Sequence, residues 1–259
     1  MPFVEAGDLR VHYELGGPAQ GPVVVLSHSV GADLGMWEPQ RAALEARFRV
    51  LRYDTRGHGR TSATPGPYTL AQLGGDVPGL LDALGLDRVH FCGLSLGGIV
   101  GMWLAAHAPS RVGRLALCNT APVIGTAAGW NARIDAVRAQ GMKAVAPAIV
   151  ERWFTAGFRA RSPETAAWAL RLLEGTSPEG YVAACAALRD ADERADLSAI
   201  TAPTLVVAGR EDVATTPADG RRLADGIAGA EYVELEAAHL SNMEAPARFT
   251  SELVRFLAS

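Results

Sequence analysis

The chain lacks what a membrane, metal-binding or nucleic-acid protein would need. No apolar run approaches the roughly 20 residues that a helix requires to cross a bilayer. The opening Met1-Pro2-Phe3-Val4-Glu5 is not a charged segment followed by an apolar one, so no leader is read there and a cytoplasmic location is expected. Lysine and arginine together number 24 against 28 acidic residues, a formal charge of −4. The basic residues are scattered without a run, which argues against a nucleic-acid surface. Cysteine is scarce: Cys92, Cys118 and Cys185 sit in apolar stretches without metal-ligand spacing and read as buried thiols. No metal is expected. Phosphate-binding glycine loops, internal repeats and low-complexity tracts are also missing. What remains is a soluble globular chain of 259 residues, long enough to bury a substantial core without dividing into independent domains. A small molecule is the expected partner, with no membrane and no nucleic acid; oligomeric state is not legible.

Against these absences one segment stands out. Phe91-Cys92-Gly93-Leu94-Ser95-Leu96-Gly97-Gly98 reads Gly-x-Ser-x-Gly, between an apolar run at Arg88 to Cys92 and a helical stretch from Leu96 to Ala108. A strand, a sharp turn and a helix are the context in which this pattern presents a nucleophilic serine. The glycines remove Cβ atoms that would clash with the neighbouring strand and helix. The backbone N–H of Leu96 would open a helix N-terminus, where a developing oxyanion finds free donors and a favourable dipole.

A nucleophilic serine needs a base, and the base needs an orienting acid later in the chain. Asp212 follows the apolar strand Thr204 to Gly209, and His239 follows the strand Glu231 to Leu235. Both positions lie just past the carboxyl end of a strand, where reactive groups gather in open α/β sheets. Glu211 is the alternative acid and reads more simply as an exposed loop carboxylate. His12 and His90 lie in or beside strands and read as structural. His107 ends the helix after Ser95, and His58 reads as bracing its loop. A second oxyanion donor is expected after the strand Val23 to Leu26, in Ser27-His28-Ser29-Val30-Gly31. The amide of Val30 is the first choice and that of Ser29 the second.

Strand and helix signals alternate along most of the chain. Phe3 to Ala6 and Leu9 to Leu15 read as an antiparallel hairpin. Strands follow at 23–26, 49–53, 89–92, 115–119, 204–209 and 231–235, with helices at 36–46, 70–84, 96–108 and 248–257. This predicts an α/β fold with a mostly parallel eight-stranded sheet and helices on both faces. Residues 1–121 and 200–259 form that core. Within 122–199 the alternation stops, and four helical stretches are expected at 131–140, 142–154, 163–174 and 178–191. Gly141, Gly157, Pro163, Gly175 and Pro178 read as their stops. Inserted after the sixth strand, they would form a lid over the carboxyl edge of the sheet rather than a separate domain.

The whole chain resembles the α/β-hydrolase superfamily, and within it the 3-oxoadipate enol-lactonases. The resemblance is carried by Leu26-Ser27-His28-Ser29-Val30-Gly31, by Arg52-Tyr53-Asp54-Thr55-Arg56-Gly57-His58-Gly59 and by the Ser95 segment. Trp130-Asn131-Ala132-Arg133-Ile134 and Ala237-Ala238-His239-Leu240-Ser241-Asn242 carry it further and discriminate better. Relatives often have Asn where this chain has His28. The resemblance implies hydrolysis of 3-oxoadipate enol-lactone in aromatic catabolism by Ser95, His239 and Asp212, with no cofactor. Some relatives carry a fused decarboxylase; a chain stopping at Ser259 is expected to lack it. General carboxylesterase or cofactor-free perhydrolase activity is the competing enzymatic reading, because fold alone does not fix substrate. A non-catalytic ligand receptor is the reading from another class, and an intact Ser95, Asp212 and His239 set weighs against it. The enol-lactone carries a free carboxylate, for which arginine is the best partner. Arg133 borders a stripe of Trp130, Ile134 and Val137 and is the expected substrate cation. Trp130 is then expected to pack on the ring, with Trp153 as a second wall.

Overall fold

A computed structural model describes residues 2–259. Its sheet is built from Phe3–Ala6 (β1), Leu9–Gly16 (β2), Val23–Ser27 (β3), Arg49–Tyr53 (β4), Val89–Leu94 (β5), Val112–Cys118 (β6), Thr204–Gly209 (β7) and Glu231–Leu235 (β8). The strands β3, β5, β6 and β7 are mostly apolar and mostly buried, with His90 and Arg114 interrupting β5 and β6 near their starts, as expected of parallel strands covered on both faces. The eight strands lie in the order β1-β2-β4-β3-β5-β6-β7-β8. β1 and β2 form the expected antiparallel hairpin, β2 pairs antiparallel with β4, and the remaining pairings are parallel. Strand order reverses at β3, with β4 on one side and β5 on the other. A crevice opens at the carboxyl ends of such a pair.

The helices are Glu38–Glu45 (α1), Leu70–Ala83 (α2), Leu96–His107 (α3), Ala127–Gln140 (α4), Ala146–Trp153 (α5), Ala156–Arg161 (α6), Pro163–Gly175 (α7), Pro178–Asp190 (α8), Pro217–Gly226 (α9), Ser241–Glu244 (α10) and Pro246–Ala258 (α11). The uniformly apolar α3 packs between β5, β6 and α2, while α9 covers β7 and β8 and α1 lies against α11. The segment expected to be one helix from Met36 is divided. Leu34–Trp37 forms a 3₁₀ turn, capped where Asp33 accepts the Gly35 amide at 2.8 Å, before α1 begins.

The insertion between β6 and β7 holds five α-helices rather than four. α4 starts four residues earlier than expected because Thr126 accepts the Gly129 amide at 3.1 Å and caps it. Gly157 is not a stop but lies inside α6, whose start is set by Thr155 accepting the Phe158 amide at 3.1 Å. α4 and α8 pack along each other, and α5 packs on α7.

The turn from β5 into α3 is the tightest point of the core. Ser95 sits there at φ 58° and ψ −113°, a region that non-glycine residues visit rarely. Its amide donates to the Cys118 carbonyl at 2.9 Å, and its carbonyl accepts the Gly98 and Ile99 amides at 2.9 and 3.1 Å. Thr120 Oγ1 adds a bond to the same carbonyl at 2.9 Å. A Cβ at Gly93 would strike the Gly97 carbonyl, and one at Gly97 would strike the Ser27 carbonyl. Backbone, not a movable side chain, fills both places. Gly97→Ala is therefore expected to push α3 off β3 and cost about 1–3 kcal/mol, read as a lower urea midpoint. An unchanged midpoint would show that the turn relaxes freely.

Candidate active site

Asp212 lies in the loop after β7, its side chain fully withdrawn from solvent. Oδ1 accepts the Ala214 and Thr215 amides at 2.8 and 3.0 Å. Oδ2 accepts from Thr215 Oγ1 at 2.8 Å, from Asn119 Nδ2 at 3.0 Å and from His239 Nδ1 at 2.8 Å. Burial alone would raise this carboxyl. The His239 ring, with the hydrogen bonds from His239, Asn119 and the Thr215 amide, outweighs it and holds Asp212 at about 2. Because Nδ1 of His239 faces a carboxylate, Nε2 is the nitrogen left to serve a substrate or nucleophile. Glu211 is exposed, and its amide merely bonds the Ala237 carbonyl at 3.0 Å.

Ser95 and His239 both line one cavity of about 500 Å³. Its floor is the carboxyl edge of the sheet, with Ser29 and Val30 following β3 and Val213 and Ala214 following β7. Its roof is the helical insertion, through Trp130, Arg133, Ile149, Arg152, Trp153 and Tyr181. Trp130, Ile134 and Val137 are the buried positions of α4, as their spacing predicted. The indole N–H of Trp130 donates to the Ile124 carbonyl at 2.6 Å, fixing the ring. Arg133 lies over that ring at 4.8 Å and reaches the Tyr181 hydroxyl at 3.5 Å. Its guanidinium has no carboxylate partner among the described residues. Arg152, an exposed residue on α5, was missed in the sequence; only the fold shows that it also borders the cavity. Among the described residues no acidic side chain lines the cavity wall. Among the described residues no three His, Cys, Asp or Glu side chains are grouped to hold a metal ion.

Leu96 is the first residue of α3, so its N–H has no acceptor within the helix. The following amide is already committed, since Gly97 N–H donates to the His28 carbonyl at 3.1 Å. That bond ties the loop carrying Ser29 and Val30 directly to the start of α3. His28 itself does not face the cavity. Its Nδ1 donates to the Ser29 carbonyl at 2.8 Å and its Nε2 accepts the Thr55 amide at 3.0 Å. The ring thus braces the loop from behind. His58 packs near it, with ring centroids 5.4 Å apart, and donates from Nδ1 to the Arg56 carbonyl at 3.1 Å. The bracing role read for His58 fits this position, although its Nε2 has no hydrogen-bond partner among the described residues. His107 stacks on Trp103 at the end of α3, away from the cavity. Cys92 and Cys118 lie side by side beneath the Ser95 turn with their sulfurs 3.9 Å apart, as free thiols.

A serine on a strained strand-to-helix turn, a histidine bonded to a buried aspartate and a mostly parallel sheet define an α/β hydrolase. The chain matches the α/β-hydrolase fold family over residues 22–246 and belongs to it. It is 43% identical to 3-oxoadipate enol-lactonase 2 of Acinetobacter baylyi over 94% of this chain and 91% of that protein. To 3-oxoadipate enol-lactonase 1 of the same organism the identity is 39%, over 95% and 92% of the two chains. The crystal structure of the enol-lactonase from Burkholderia xenovorans superposes with a TM-score of 0.98 at 48% identity, covering 100% of both chains.

The buried histidines behind the site leave a signature in stability. Burial pushes His28 and His58 below the ordinary histidine value of 6.5, and the neighbouring His28 helps bring His58 to about 3. The unfolded chain takes up these protons near pH 6.5, whereas folded His58 resists until about 3. Stability attributable to this ring therefore falls as pH drops through that window, by about 1.4 kcal/mol per pH unit. His58→Asn keeps a donor for the Arg56 carbonyl and removes the titration. Urea unfolding between pH 6 and 4 is expected to show a shallower loss in that variant, and an equal slope would contradict the assignment.

Proposed function

We propose that the chain hydrolyses 3-oxoadipate enol-lactone to 3-oxoadipate through a Ser95 acyl-enzyme. The observation that carries this reading is a single cavity that joins Ser95 and His239 to two arginines with no acidic wall. The substrate is a monoanion, and opening the ring creates a second carboxylate. Leaving either anion unpaired in an apolar pocket would be costly. Arg133, held against Trp130, would take the carboxylate of the substrate side chain, and Trp153 would close the opposite wall. Arg152 at the cavity border supplies a second positive charge for the dianionic product.

The chemistry needs only this chain's residues. His239 Nε2 takes the Ser95 proton while Asp212 holds the imidazole and stabilises its charged form. Ser95 Oγ bonds to the lactone carbonyl carbon, and the oxyanion accepts from the amides of Leu96 and Val30, with Ser29 next to them. The ring C–O bond then breaks and expels an enolate, a better leaving group than an alkoxide, which His239 protonates. The enol becomes a ketone. A water deprotonated by His239 attacks the acyl ester and returns Ser95 with the product. Residues 122–199 would act as a lid that keeps bulk water away from the acyl-enzyme. Unlinked Cys92 and Cys118, with sulfurs 3.9 Å apart, suit a reducing cytoplasm.

Ser95→Ala is expected to leave a folded protein whose kcat falls on the order of 10³-fold or more, the residue coming from binding and the oxyanion donors. Retention of most activity would sink the serine mechanism. Arg133→Leu separates substrate recognition from support of the lid. Its KM for the enol-lactone is expected to rise at least about 10-fold, the scale of one charge-assisted hydrogen bond, with a neutral p-nitrophenyl ester little affected. Parallel losses in kcat/KM on both substrates would mean that Arg133 only holds the lid in place.

A further inference from the structure

Asn119, directly after β6, shares a rare property with Ser95. These two are the non-glycine residues with positive φ among those described, Asn119 at 44°. Its backbone amide donates to the Val207 carbonyl at 2.7 Å, which locks the end of β6 against β7. Its buried side chain then spans two loops. Nδ2 donates to Asp212 Oδ2 at 3.0 Å and to the Ala238 carbonyl at 3.2 Å. One amide group therefore holds both the carboxylate that follows β7 and the residue next to His239 that follows β8.

The amide has only one workable orientation. Ser241, the first residue of α10, donates from Oγ to Asn119 Oδ1 at 2.6 Å. A flipped amide would set its oxygen against Asp212 Oδ2 and against the Ala238 carbonyl, where only acceptors lie. Space for the side chain comes from Gly209, where a Cβ would fall 3.0 Å from Asn119 Nδ2 and would strike the Ala237 and Ala238 carbonyls. Strained backbone persists at a non-glycine residue only where the surroundings over-determine it. Here the backbone bond to Val207 and three side-chain bonds do so.

We infer that Asn119, oriented by Ser241, is a positioning residue that fixes Asp212 and the His239 loop as one unit and supplies a donor to the carboxylate. The inference rests on the serine-hydrolase reading of Ser95, Asp212 and His239. Asp212 Oδ2 takes its other hydrogen bonds from Thr215 Oγ1 and His239 Nδ1. His239 is the titratable group facing Asp212, and Glu244 of α10 bonds the Ala238 amide at 3.0 Å and Thr155. Without Asn119 the carboxylate keeps its charge but loses the link that sets its distance and angle to the imidazole.

Two variants test this with a readout independent of substrate identity, the rate at which a fluorophosphonate labels Ser95. Asn119→Gly relieves the backbone, since glycine accepts positive φ freely, and removes the bridge. Circular dichroism is expected to show an intact fold, with labelling slowed about 10- to 100-fold, the scale of one hydrogen bond to a charged group. Asn119→Asp keeps the shape but donates to Asp212 only while it holds a proton, and two carboxyls this close share one. Its labelling rate should therefore gain a descending limb as pH rises, a limb the unaltered protein lacks. Labelling of the glycine variant at the unaltered rate would overturn the inference. So would a pH profile of the aspartate variant parallel to that of the unaltered protein. An unaltered protein that resists the probe altogether would overturn the serine-hydrolase reading itself, and this inference with it.

Discussion

The structure depends on one backbone constraint, a serine held in the left-handed region between a buried strand and a buried helix. Ser95 at φ 58° is tolerated because the bonds around it leave no alternative. Its amide is taken by Cys118, its carbonyl by Gly98, Ile99 and Thr120. The same turn commits the Gly97 amide to His28, which ties the loop after β3 to the start of α3. Strain stored at one residue is thus offset by three neighbouring segments. The result is a side chain aimed at the crevice where strand order reverses.

A second layer of the design is electrostatic. Buried charge is costly unless it is paired and hydrogen-bonded. Asp212 satisfies that condition with five hydrogen bonds, to Ala214, to Thr215 twice, to Asn119 and to His239. The cavity above carries the opposite sign, because Arg133 and Arg152 line it and no carboxylate does among the described residues. Negative charge is thus sequestered beside His239 and positive charge is offered on the cavity roof. The two arginines, rather than the buried carboxylate, are the feature that an anionic substrate would use and a neutral ester would not.

The core was legible in the sequence for a physical reason. Interior strands bury both faces and so appear as short, mostly apolar runs, and Ser95 and Asp212 come after two of them. His239 instead follows the edge strand Glu231–Leu235, in which glutamates interrupt the apolar residues. The insertion was less legible. The starts of α4 and α6 depend on the Thr126 and Thr155 caps, which local spacing does not separate from ordinary loop threonines. Gly157 looked like a stop because glycine weakens a helix, yet the cap and packing against α7 override that preference. Arg152 and Asn119 were missed altogether. Nothing near Arg152 in the sequence marks it as facing a cavity, and Asn119 looks like the last residue of a strand. Its role is visible only once Asp212, Ala238 and Ser241, 93 to 122 residues away, are brought around it.

An anionic lactone, rather than esters in general, is the substrate proposed for this site. The most direct measurement is kcat/KM of the unaltered protein on 3-oxoadipate enol-lactone beside that on p-nitrophenyl acetate, over a range of ionic strength. The lactone is expected to be strongly preferred, with a preference that shrinks as salt screens the two arginines. Equal rates on the two substrates, or a preference indifferent to salt, would contradict it.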